Sequence, residues 1–502
     1  MTDNSRITSY YRLHREESSI DDITFNDLNL DAVFKKIDRT ESSLGDEVLY
    51  FLMRNPKESL SEIDSLEKDL TLLKENSADT KKAQIELKKL SKLKKVSVFE
   101  YLYHLDKAKE RSLISLFLPM ILMVLALLSI FIDSTLGIIL SVGVFIFNTI
   151  RYFNYLKDVR PYLVSFSYII KAIKTGERIK YIDKSEIKDF ENIKRFSFIL
   201  GNLSGVTANG GSGNPFDLIL DLFKMGFHLD ILRFYGMLSV LKKYRDEIER
   251  YLYHLGKIDA CISILKLRDN NKDICMPEFI SEKAICATDI YHPLIKEPVK
   301  NSISVKKSVL LTGANASGKS TFLRTIAINA ILAQSINTVF AFSYKAPLFH
   351  VMSSMDISDS IDKSESFYIA EVKSLKRMLE YKEEGYKLFV VDEVLKGTNT
   401  IERISAGAEI LKHLDSENAF VFGATHDREI CSLLKDSYLD YHFSEEITGD
   451  DYSFSYTLKE GMSDSTNAIS LLERMGFPLS VTDGAREIAS SYEKTGTYSI
   501  LT

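Results

Sequence analysis

One stretch in the second half of the chain decides how its surroundings fold, and it reads Val309-Leu310-Leu311-Thr312-Gly313-Ala314-Asn315-Ala316-Ser317-Gly318-Lys319-Ser320-Thr321. An apolar, β-favouring run leads into Gly313, and apolar residues at helical spacing follow from Phe322 to Ala333. The spacing G-x-x-x-x-G-K-[ST] between a strand and a helix predicts a phosphate-binding loop. Its backbone N–H groups can point at phosphate oxygens, and the helix N-terminus adds its positive end. The alternative, a glycine-rich turn that only feeds a helix, is disfavoured by these flanks.

The residue types in this loop predict a nucleoside triphosphate site. We expect Lys319 to reach the β- and γ-phosphates and the Ser320 hydroxyl to bind Mg²⁺. The predicted ATP-binding positions of the loop are Gly313, Asn315, Gly318, Lys319, Ser320 and Thr321.

Two later apolar runs end in polar residues that suit the same chemistry. The run Lys387-Leu388-Phe389-Val390-Val391 ends in Asp392-Glu393, and the run 419–424 ends in Thr425-His426. We expect Asp392 to hold Mg²⁺ through water, and Glu393 to orient and deprotonate the attacking water. His426 can sense the γ-phosphate as a hydrogen-bond donor or acceptor. Each run alone is more often structural, but together with the phosphate loop they predict hydrolysis of ATP.

Length and composition limit the architecture. A chain of 502 residues is too long for one core, so two or three domains are expected. The formal net charge of −6 does not indicate a nucleic-acid binder. The four cysteines lack any C-x-x-C pair, which is typical of reduced thiols in an intracellular protein. We predict a polar N-terminal arm over 1–30, a helical domain over 31–280, and an α/β ATPase domain with C-terminal helices over 281–502.

The helical part contains two adjacent apolar runs. The first, Leu113–Ile132, has no charge, and the second, Ser134–Ile150, follows Asp133 and has none either. A bilayer core takes about 20 apolar residues per helix. Lysines and arginines flank the pair on one side, so the positive-inside rule predicts a two-helix transmembrane hairpin at 113–150. Both soluble parts would then be cytoplasmic, at the inner (cytoplasmic) membrane, with lipid as a partner. The alternative is a buried helical pair in a large soluble core.

A lysine-rich segment precedes the hairpin. Residues 81–95 carry seven lysines and one glutamate. This face can contact lipid headgroups or the phosphates of nucleic acid, or it can simply be solvated. Next to a membrane hairpin, headgroups or solvent are the favoured interpretation.

Several motifs resemble those of the MutS mismatch-repair ATPases. Asp392-Glu393-Val394-Leu395-Lys396-Gly397-Thr398-Asn399-Thr400 resembles their D-E-x-x-x-G-T-[SN]-T run, and 313–321 resembles G-P-N-x-x-G-K-S-T with Ala314 for proline. Ser366-Phe367-Tyr368-Ile369-Ala370-Glu371 is similar to the S-x-[FY]-x-x-E signature loop, and Tyr291-His292-Pro293-Leu294 to R-H-P-L. Residues 465–478 resemble the closing helical element of the family, and weaker likenesses cover 40–56 and 257–260.

The resemblance implies a P-loop NTPase fold of the ABC/MutS type, preceded by a mainly α-helical core-like domain. It also implies a homodimer with composite ATP sites, in which Ser366 of one subunit completes the nucleotide site of the other. The space before residue 35 is too short for a mismatch-reading domain, and the hairpin occupies part of the region where the family builds its DNA clamp.

Three functions are compatible with these motifs. The first is a membrane-tethered MutS-like ATPase that couples ATP hydrolysis to conformational change. The second is a DNA-binding repair or recombination factor, although composition does not indicate DNA. The third, a transport-type ATPase, is disfavoured because one hairpin is too little for a substrate path and the signature loop is not of the transporter type.

Overall fold

The computed structural model describes residues 6–16, 18–107, 111–181, 215–313, 317–355, 367–448, 451–462, 469, 472–473 and 475–496. The chain divides into two compact units. The first comprises Met1–Glu17, Ile37–Arg54 and Glu67–Asn270, and the second comprises Ser18–Lys36, Asn55–Leu66 and Asn271–Thr502. Two short pieces from before residue 67 therefore belong to the second unit, which a single predicted division at residue 280 does not anticipate.

The first half of the chain is helical, as predicted. Its described helices are α1 (Ser9–Leu13), α2 (Asp22–Asp27), α3 (Leu30–Ile37), α4 (Ser43–Arg54), α5 (Leu60–Glu75), α6 (Ser77–Leu90), α7 (Val98–Tyr103), a 3-10 turn (Leu105–Lys107), α8 (Leu113–Ser129), α9 (Ser134–Gly176), α10 (Pro215–Phe227), α11 (Leu229–Lys243) and α12 (Arg245–Asn270).

The core of the first unit is built on the contact between α4 and α12. All of α4 is buried. A Cβ atom on Gly256 would come within 2.6 Å of the Leu44 carbonyl oxygen, so the two helices approach more closely than a larger residue would allow. The buried Asp259 carboxylate accepts hydrogen bonds from the Ser42 N–H at 2.8 Å and the Glu41 N–H at 3.0 Å. It thus satisfies backbone donors at the start of α4.

Residues 6–30 differ from the predicted loose arm. The guanidinium of Arg6 is buried and donates to both oxygens of Asp46, at 3.0 and 2.6 Å. Tyr10 and Tyr11 are also buried, and α2 packs on a strand of the second unit. The segment was predicted to be loose because most of its residues are polar. The few side chains that hold it in place have partners far away in the sequence, so composition does not identify them.

The two apolar runs form adjacent helices, α8 and α9, which pack against each other. Asp133 caps α9 by accepting from the N–H groups of Thr135 and Leu136. Pro119 inside α8 cannot donate to the Ser115 carbonyl, and Arg151 of α9 bonds that oxygen at 3.3 Å instead. The helices are therefore locked by polar contacts at one end.

The two helices do not meet the length and composition of a transmembrane hairpin, because only one of them is a candidate membrane span. Among the described helices, one segment, Ser134–Val159 of α9, is long and apolar enough to cross a bilayer. Helix α8 has 17 residues, which is about 26 Å of helix and a few Å short of a bilayer core. Its predicted end at Ile132 is not helical, because Ile130–Ile132 form the turn before Asp133.

The second unit is α/β, as predicted. Its described elements are β1 (Glu278–Phe279), β2 (Ile285–Ile290), β3 (Asn301–Val305), β4 (Ser308–Thr312), α13 (Lys319–Ile336), β5 (Ser343–Ala346), β6 (Phe349–Ser354), α14 (Phe367–Leu379), β7 (Tyr386–Asp392), α15 (Thr400–Leu414), β8 (Ala419–Ala424), α16 (Arg428–Leu434), β9 (Tyr438–Thr448), β10 (Asp451–Glu460) and α17 (Leu479–Thr495).

Two sheets organise this unit. The larger has the order β10-β9-β4-β8-β7-β6, in which all neighbours are parallel except the edge pair β9 and β10. Strands β4 and β8 are buried along their whole length, which explains their uninterrupted apolar runs. The smaller sheet has the order β1-β5-β2-β3. In parallel sheets ligands bind beyond the carboxyl ends of the strands, where the predicted site residues follow β4, β7 and β8.

Candidate nucleotide site

The sheet register brings the three predicted motifs to one edge. Strand β8 lies between β4 and β7, and its last residue, Ala424, is opposite both Leu311 of β4 and Asp392 of β7. The phosphate loop, the acidic pair and the Thr425-His426 segment therefore leave the sheet at the same level. The residues of the site are spread over more than 100 positions in the sequence. The pairing of β8 with β4 and with β7 brings them together.

Lys319, Glu393 and His426 approach one another at this edge. The Lys319 ammonium donates to the Gly313 carbonyl oxygen at 2.7 Å, which folds the lysine back over its own loop. His426 Nε2 lies 3.0 Å from Glu393 Oε1 and 3.4 Å from Lys319 Nζ. Because Nε2 cannot donate to a carboxylate and accept from an ammonium at once, the shorter contact to Glu393 is the hydrogen bond.

Glu393 is held ionised and in an unusual backbone conformation. The hydrogen bond from His426 lowers the pKa of Glu393, and the positive charge of Lys396 acts in the same direction. Glu393 has a φ of 57°, in the left-handed region that non-glycine residues seldom occupy, and its N–H donates to the Ala424 carbonyl at 2.9 Å. Such strain often occurs at functional sites.

Asp392 and Ser320 suit a magnesium ion. Asp392 is buried, and its Oδ1 has no hydrogen-bond partner in the described part of the protein. A buried carboxylate oxygen without a donor calls for an ion or water, and Mg²⁺ keeps several waters when it binds. Ser320 lies in the first turn of α13, directly after Lys319. Oxygen donors of these two types are those Mg²⁺ prefers, so the residues present fit the ion.

A cavity of about 510 Å³ opens beside the phosphate loop. Its floor includes Gly318, Ser320 and Thr321, and Glu393 borders it. The remaining wall is largely apolar and aromatic, and its members include Tyr291, His292, Ile295, Val299, Phe443 and Tyr456. This volume and lining suit a flat heteroaromatic base attached to a phosphate chain.

Most residues of the cavity wall were not predicted from the sequence to be part of the site. Tyr456 sits at an irregularity of β10 with a φ of 52°. Asn301 of β3 fixes it by donating to the Tyr456 carbonyl at 3.0 Å and accepting from the Leu458 N–H at 2.7 Å. The Tyr456 ring lies 3.2 Å from the position a Cβ on Gly318 would take. No local sequence pattern predicts this contact, because Tyr456 and Gly318 are more than 130 positions apart.

Helix α14, which begins within the signature sequence, packs on the loop that follows Glu393. Glu371 of α14 is buried, and its Oε1 accepts from the Leu395 N–H at 2.5 Å. Burial raises the pKa of this carboxyl. The Tyr368 side chain lies 3.2 Å from where a Cβ on Gly397 would be, so glycine permits the close approach. Two other predicted site residues, Asn315 and Ser366, lie outside the described residues.

Comparison with known proteins agrees with this geometry. Residues 309–493 match the family model described as MutS domain V, an α/β ATPase domain of the P-loop type. This part of the chain is similar to the ATPase domain of MutS proteins. The matched region thus contains α13, β7 and β8 with Lys319, Glu393 and His426, whereas the part of the cavity wall from Tyr291 to Val299 precedes it.

Relatives of the chain include two proteins named DNA mismatch repair protein MutS. The one from Natronomonas pharaonis is 27% identical over 236 residues, which cover 45% of this chain and 27% of the relative. The one from Lactobacillus acidophilus is 26% identical over 296 residues, covering 56% of this chain and 34% of the relative. MutS protein homolog 4 of Mus musculus is 28% identical, with 50% of this chain and 28% of the relative covered. The chain spans about a third of the length of these relatives.

Proposed function

We propose that this protein is a membrane-attached MutS-like ATPase that couples binding and hydrolysis of ATP to a conformational change. The observation that carries the proposal is the contact of Lys319, His426 and Glu393 at the carboxyl edge of the sheet, where Lys319 and Glu393 line the cavity. A phosphate-binding lysine and an ionised carboxylate beside the same cavity are what attack of water on a γ-phosphate requires.

The residues act in a definite order in this mechanism. When ATP binds, Lys319 exchanges the Gly313 carbonyl oxygen for phosphate oxygens, which are stronger acceptors for an ammonium. The N–H groups at the start of α13 point toward the same phosphates. The aromatic wall, with Tyr456 beside Gly318, holds the base. Binding therefore releases Lys319 from its own loop.

Glu393 then acts on the water. Its lowered pKa keeps the carboxylate ionised at neutral pH, so it can orient a water in line with the γ-phosphate and accept its proton. His426, already hydrogen-bonded to Glu393, sits where it can also donate to a phosphate oxygen. Bound Mg²⁺, held by Ser320 and by Asp392 through water, would neutralise charge on the phosphates.

Replacing Lys319 by alanine tests the nucleotide site directly. We expect the affinity for ATP to fall about 10- to 100-fold, the cost of losing hydrogen bonds to charged groups. Titration of purified protein with a fluorescent ATP analogue measures it. Lys412→Ala, at an exposed position of α15, is the matched control and should bind as the parent does. Unchanged affinity in Lys319→Ala would contradict the assigned role.

Membrane attachment is supported by the exposure of the apolar helices. A core helix of a soluble protein is mostly buried, whereas only 17% of the most apolar window of Ser134–Val159 is buried. Large apolar side chains such as Leu125, Ile139 and Val142 are more than half exposed. An uncovered apolar surface of this extent marks a membrane or protein contact. We propose that α8 and α9 enter the cytoplasmic membrane, with both soluble parts in the cytoplasm and lipid as partner.

A homodimer with composite ATP sites is part of the proposal. Its support is the resemblance of 366–371 to the MutS signature loop. In such a dimer Ser366 of one subunit would contact the γ-phosphate bound by the other. ATP would then tighten the association of the two copies.

DNA binding is a second candidate function, and the position of the lysine-rich segment favours it over headgroup contact. The end of α6 meets α9 near Tyr168, whose hydroxyl donates to the Ser91 carbonyl at 3.2 Å. Between Val159, where the apolar segment of α9 ends, and Tyr168 lie about 13 Å of helix, which is longer than the Debye length of about 8 Å at physiological salt. The lysines of 81–95 would therefore stand too far from a bilayer surface to feel its charge.

A salt titration tests this second function. We expect the quadruple variant Lys81→Ala, Lys88→Ala, Lys94→Ala, Lys95→Ala, all at exposed positions, to bind duplex DNA more weakly than the parent. The slope of log K against log salt should become shallower by about 0.9 for each phosphate that the variant no longer neutralises. Lys171→Ala, Lys174→Ala on α9 serves as a control for general loss of charge. DNA binding with an identical slope in parent and quadruple variant would exclude this face.

A further inference from the structure

An ion pair holds the residue that follows His426. Arg403, the fourth residue of α15, donates from Nε to Asp427 Oδ2 at 2.9 Å and from Nη2 to Asp427 Oδ1 at 2.8 Å. A bidentate contact of this kind fixes the angle between the two groups as well as the distance between them. The two side chains are mostly buried, with 27% and 15% of their surface exposed. Because Asp427 is next to His426 in the chain, the ion pair acts on the turn that carries the histidine.

Asp427 does not make the contact that its position predicts. It precedes the first residue of α16, where an aspartate side chain usually accepts hydrogen bonds from the N–H groups of the helix. No N–H of α16, a helix that the structure describes along its whole length, donates to this carboxylate, and both of its oxygens contact Arg403 instead. Capping would stabilise α16 alone, whereas the observed contact joins α15 to the His426 turn. Local helix stability therefore does not explain the ion pair.

The turn that carries His426 is anchored on both sides. The Thr425 N–H donates to the Leu311 carbonyl oxygen of β4 at 3.0 Å, and Thr425 Oγ1 accepts from the Asp427 N–H at 3.0 Å. On the other side the Arg403 guanidinium holds the Asp427 carboxylate. The backbone of His426 lies between these anchors and is held in place by them.

The ion pair also closes a ring of contacts that contains the proposed general base. From Glu393 the chain passes through the loop 394–399 into α15 and reaches Arg403. The ring continues across the ion pair to Asp427 and to the adjacent His426. It returns to Glu393 through the 3.0 Å contact between Nε2 and Oε1. A change in the ion pair would therefore alter the distance between His426 and Glu393.

The start of α15 gives Arg403 a fixed point of attachment. Asn399 Oδ1 caps the helix by accepting from the Glu402 N–H at 3.0 Å. The Thr398 hydroxyl donates to the Glu402 carboxylate at 2.9 Å. Arg403 directly follows Glu402, so its backbone belongs to a helix start that is secured from both directions.

We propose that Arg403 is a positioning residue for ATP hydrolysis: by holding Asp427 it fixes His426 against Glu393, and so orients the carboxylate that accepts the proton of the attacking water. The proposal rests on the function proposed above and deepens it, because it names what holds the base in place. The described residues that line the nucleotide cavity do not include Arg403, so its action on the reaction is indirect.

Substitutions at Arg403 give the first test. Arg403→Ala should lower kcat about tenfold, since misplacement of a catalytic group by about 1 Å can cost about 100-fold. The dissociation constant for ATP should stay within about twofold of the parental value, because Lys319 is unchanged. Arg403→Lys keeps the charge but cannot form the bidentate contact, so its kcat should fall between those of the parent and Arg403→Ala. The measurements are steady-state phosphate release, equilibrium ATP binding and Tm.

Lys283→Ala is the matched control. Lys283 Nζ lies 3.4 Å from Oδ1 of Asp415, the residue that ends α15, and the two side chains are 23% and 18% exposed. This variant removes one positive charge and one ion pair from the other end of the same helix, so its kcat should stay parental. Equal kcat in the parent and Arg403→Ala would overturn the proposal. A fall in kcat that Lys283→Ala shares, or that comes with an equal loss of ATP affinity, would also overturn it, because a structural role of the ion pair predicts that result.

A double-mutant cycle tests whether Arg403 acts through Asp427. Asp427→Ala should lower kcat as much as Arg403→Ala does. The double variant should be no more than about twofold slower than either single variant, because the two residues form one contact. A fall of about 100-fold, the product of the single effects, would show that the residues act independently and would contradict the proposal.

Two comparisons within the site locate the effect. In a His426→Ala background, Arg403→Ala should change kcat by less than about twofold, since the residue that it positions is gone, and a further fall of about tenfold would overturn the proposal. Glu393→Gln, assayed alongside, tests the mechanism itself. Slow turnover of Glu393→Gln with parental turnover of Arg403→Ala contradicts only the assignment of Arg403. Parental turnover of Glu393→Gln contradicts the general base, and with it both proposals.

Discussion

Glu393→Gln is expected to bind ATP with the affinity of the parent and to hydrolyse it about 100- to 10,000-fold more slowly, the usual contribution of a positioned general base. Glutamine keeps the shape of the side chain and an oxygen that can accept from His426, whose Nε2 lies 3.0 Å from the carboxylate. It cannot take a proton from water. The measurement is steady-state phosphate release alongside equilibrium ATP binding, so that kcat and affinity are separated.

Two further variants test this result, one away from the site and one within it. Glu417→Gln, at an exposed position before β8, changes the same charge away from the cavity and should leave kcat unchanged. His426→Ala removes the donor that lowers the pKa of Glu393, so the acidic limb of the pH–rate profile should move to higher pH. The sign follows because a raised pKa leaves the base protonated up to a higher pH. Equal turnover in Glu393→Gln and the parent would remove Glu393 from the mechanism.

The second large effect concerns the apolar helices. We expect the full-length protein to remain in the membrane pellet after extraction with alkaline carbonate and to be released by detergent. Transfer of each CH₂ group from water to lipid contributes about 0.8 kcal/mol of favourable free energy. Many apolar side chains of α8 and of the first part of α9 are exposed, so their transfer to lipid would contribute to membrane binding. A reporter inserted at Asp133 should be accessible from outside the cell, and one at residue 502 from the cytoplasm only.

A matched pair of variants makes the membrane test specific. Val142→Lys with Ile146→Lys places two charges on the exposed face of α9, each costing about 2.5–3.5 kcal/mol at the centre of a bilayer. This variant should move largely to the soluble fraction or be degraded. Ile85→Lys, which alters an equally exposed apolar residue on α6, should stay in the pellet. Parental protein that is soluble without detergent would indicate that α8 and α9 contact another protein surface instead.

Local sequence was sufficient for the elements that carry the chemistry. The strand 419–424 was predicted with the bounds that the structure has, and Asp392 and Glu393 fall at the end of β7 as expected. Such motifs can be read directly because each depends on a few adjacent residues: glycines that permit a tight turn, an apolar run that fits a buried strand, and polar residues where the strand leaves the sheet.

The segments misjudged from sequence are those held by distant partners. Residues 6–30 look like a solvated arm because their composition is polar, yet Arg6, Asp21 and Asp27 each pair with groups that no local pattern identifies. The predicted length of α8 was too great for a related reason. The apolar run continues through the turn 130–132, which follows the end of α8 and precedes Asp133, the residue that caps α9. Hydropathy measures the preference of side chains for an apolar environment and not the point at which the backbone turns.

By itself, the sequence determined a phosphate loop, an acidic strand end and a following histidine, together with a helical first half that contains an apolar pair. Only the tertiary structure decided that Ala424 lies level with both Leu311 and Asp392, so that Lys319, Glu393 and His426 meet. It alone also placed Tyr456 beside Gly318, and Asp27 between Arg324 of α13 and Ser353 of β6. The physical reason is that these contacts depend on strand order and side-chain packing between segments more than 100 residues apart, whereas periodicity and motif spacing record only the chain's near neighbours.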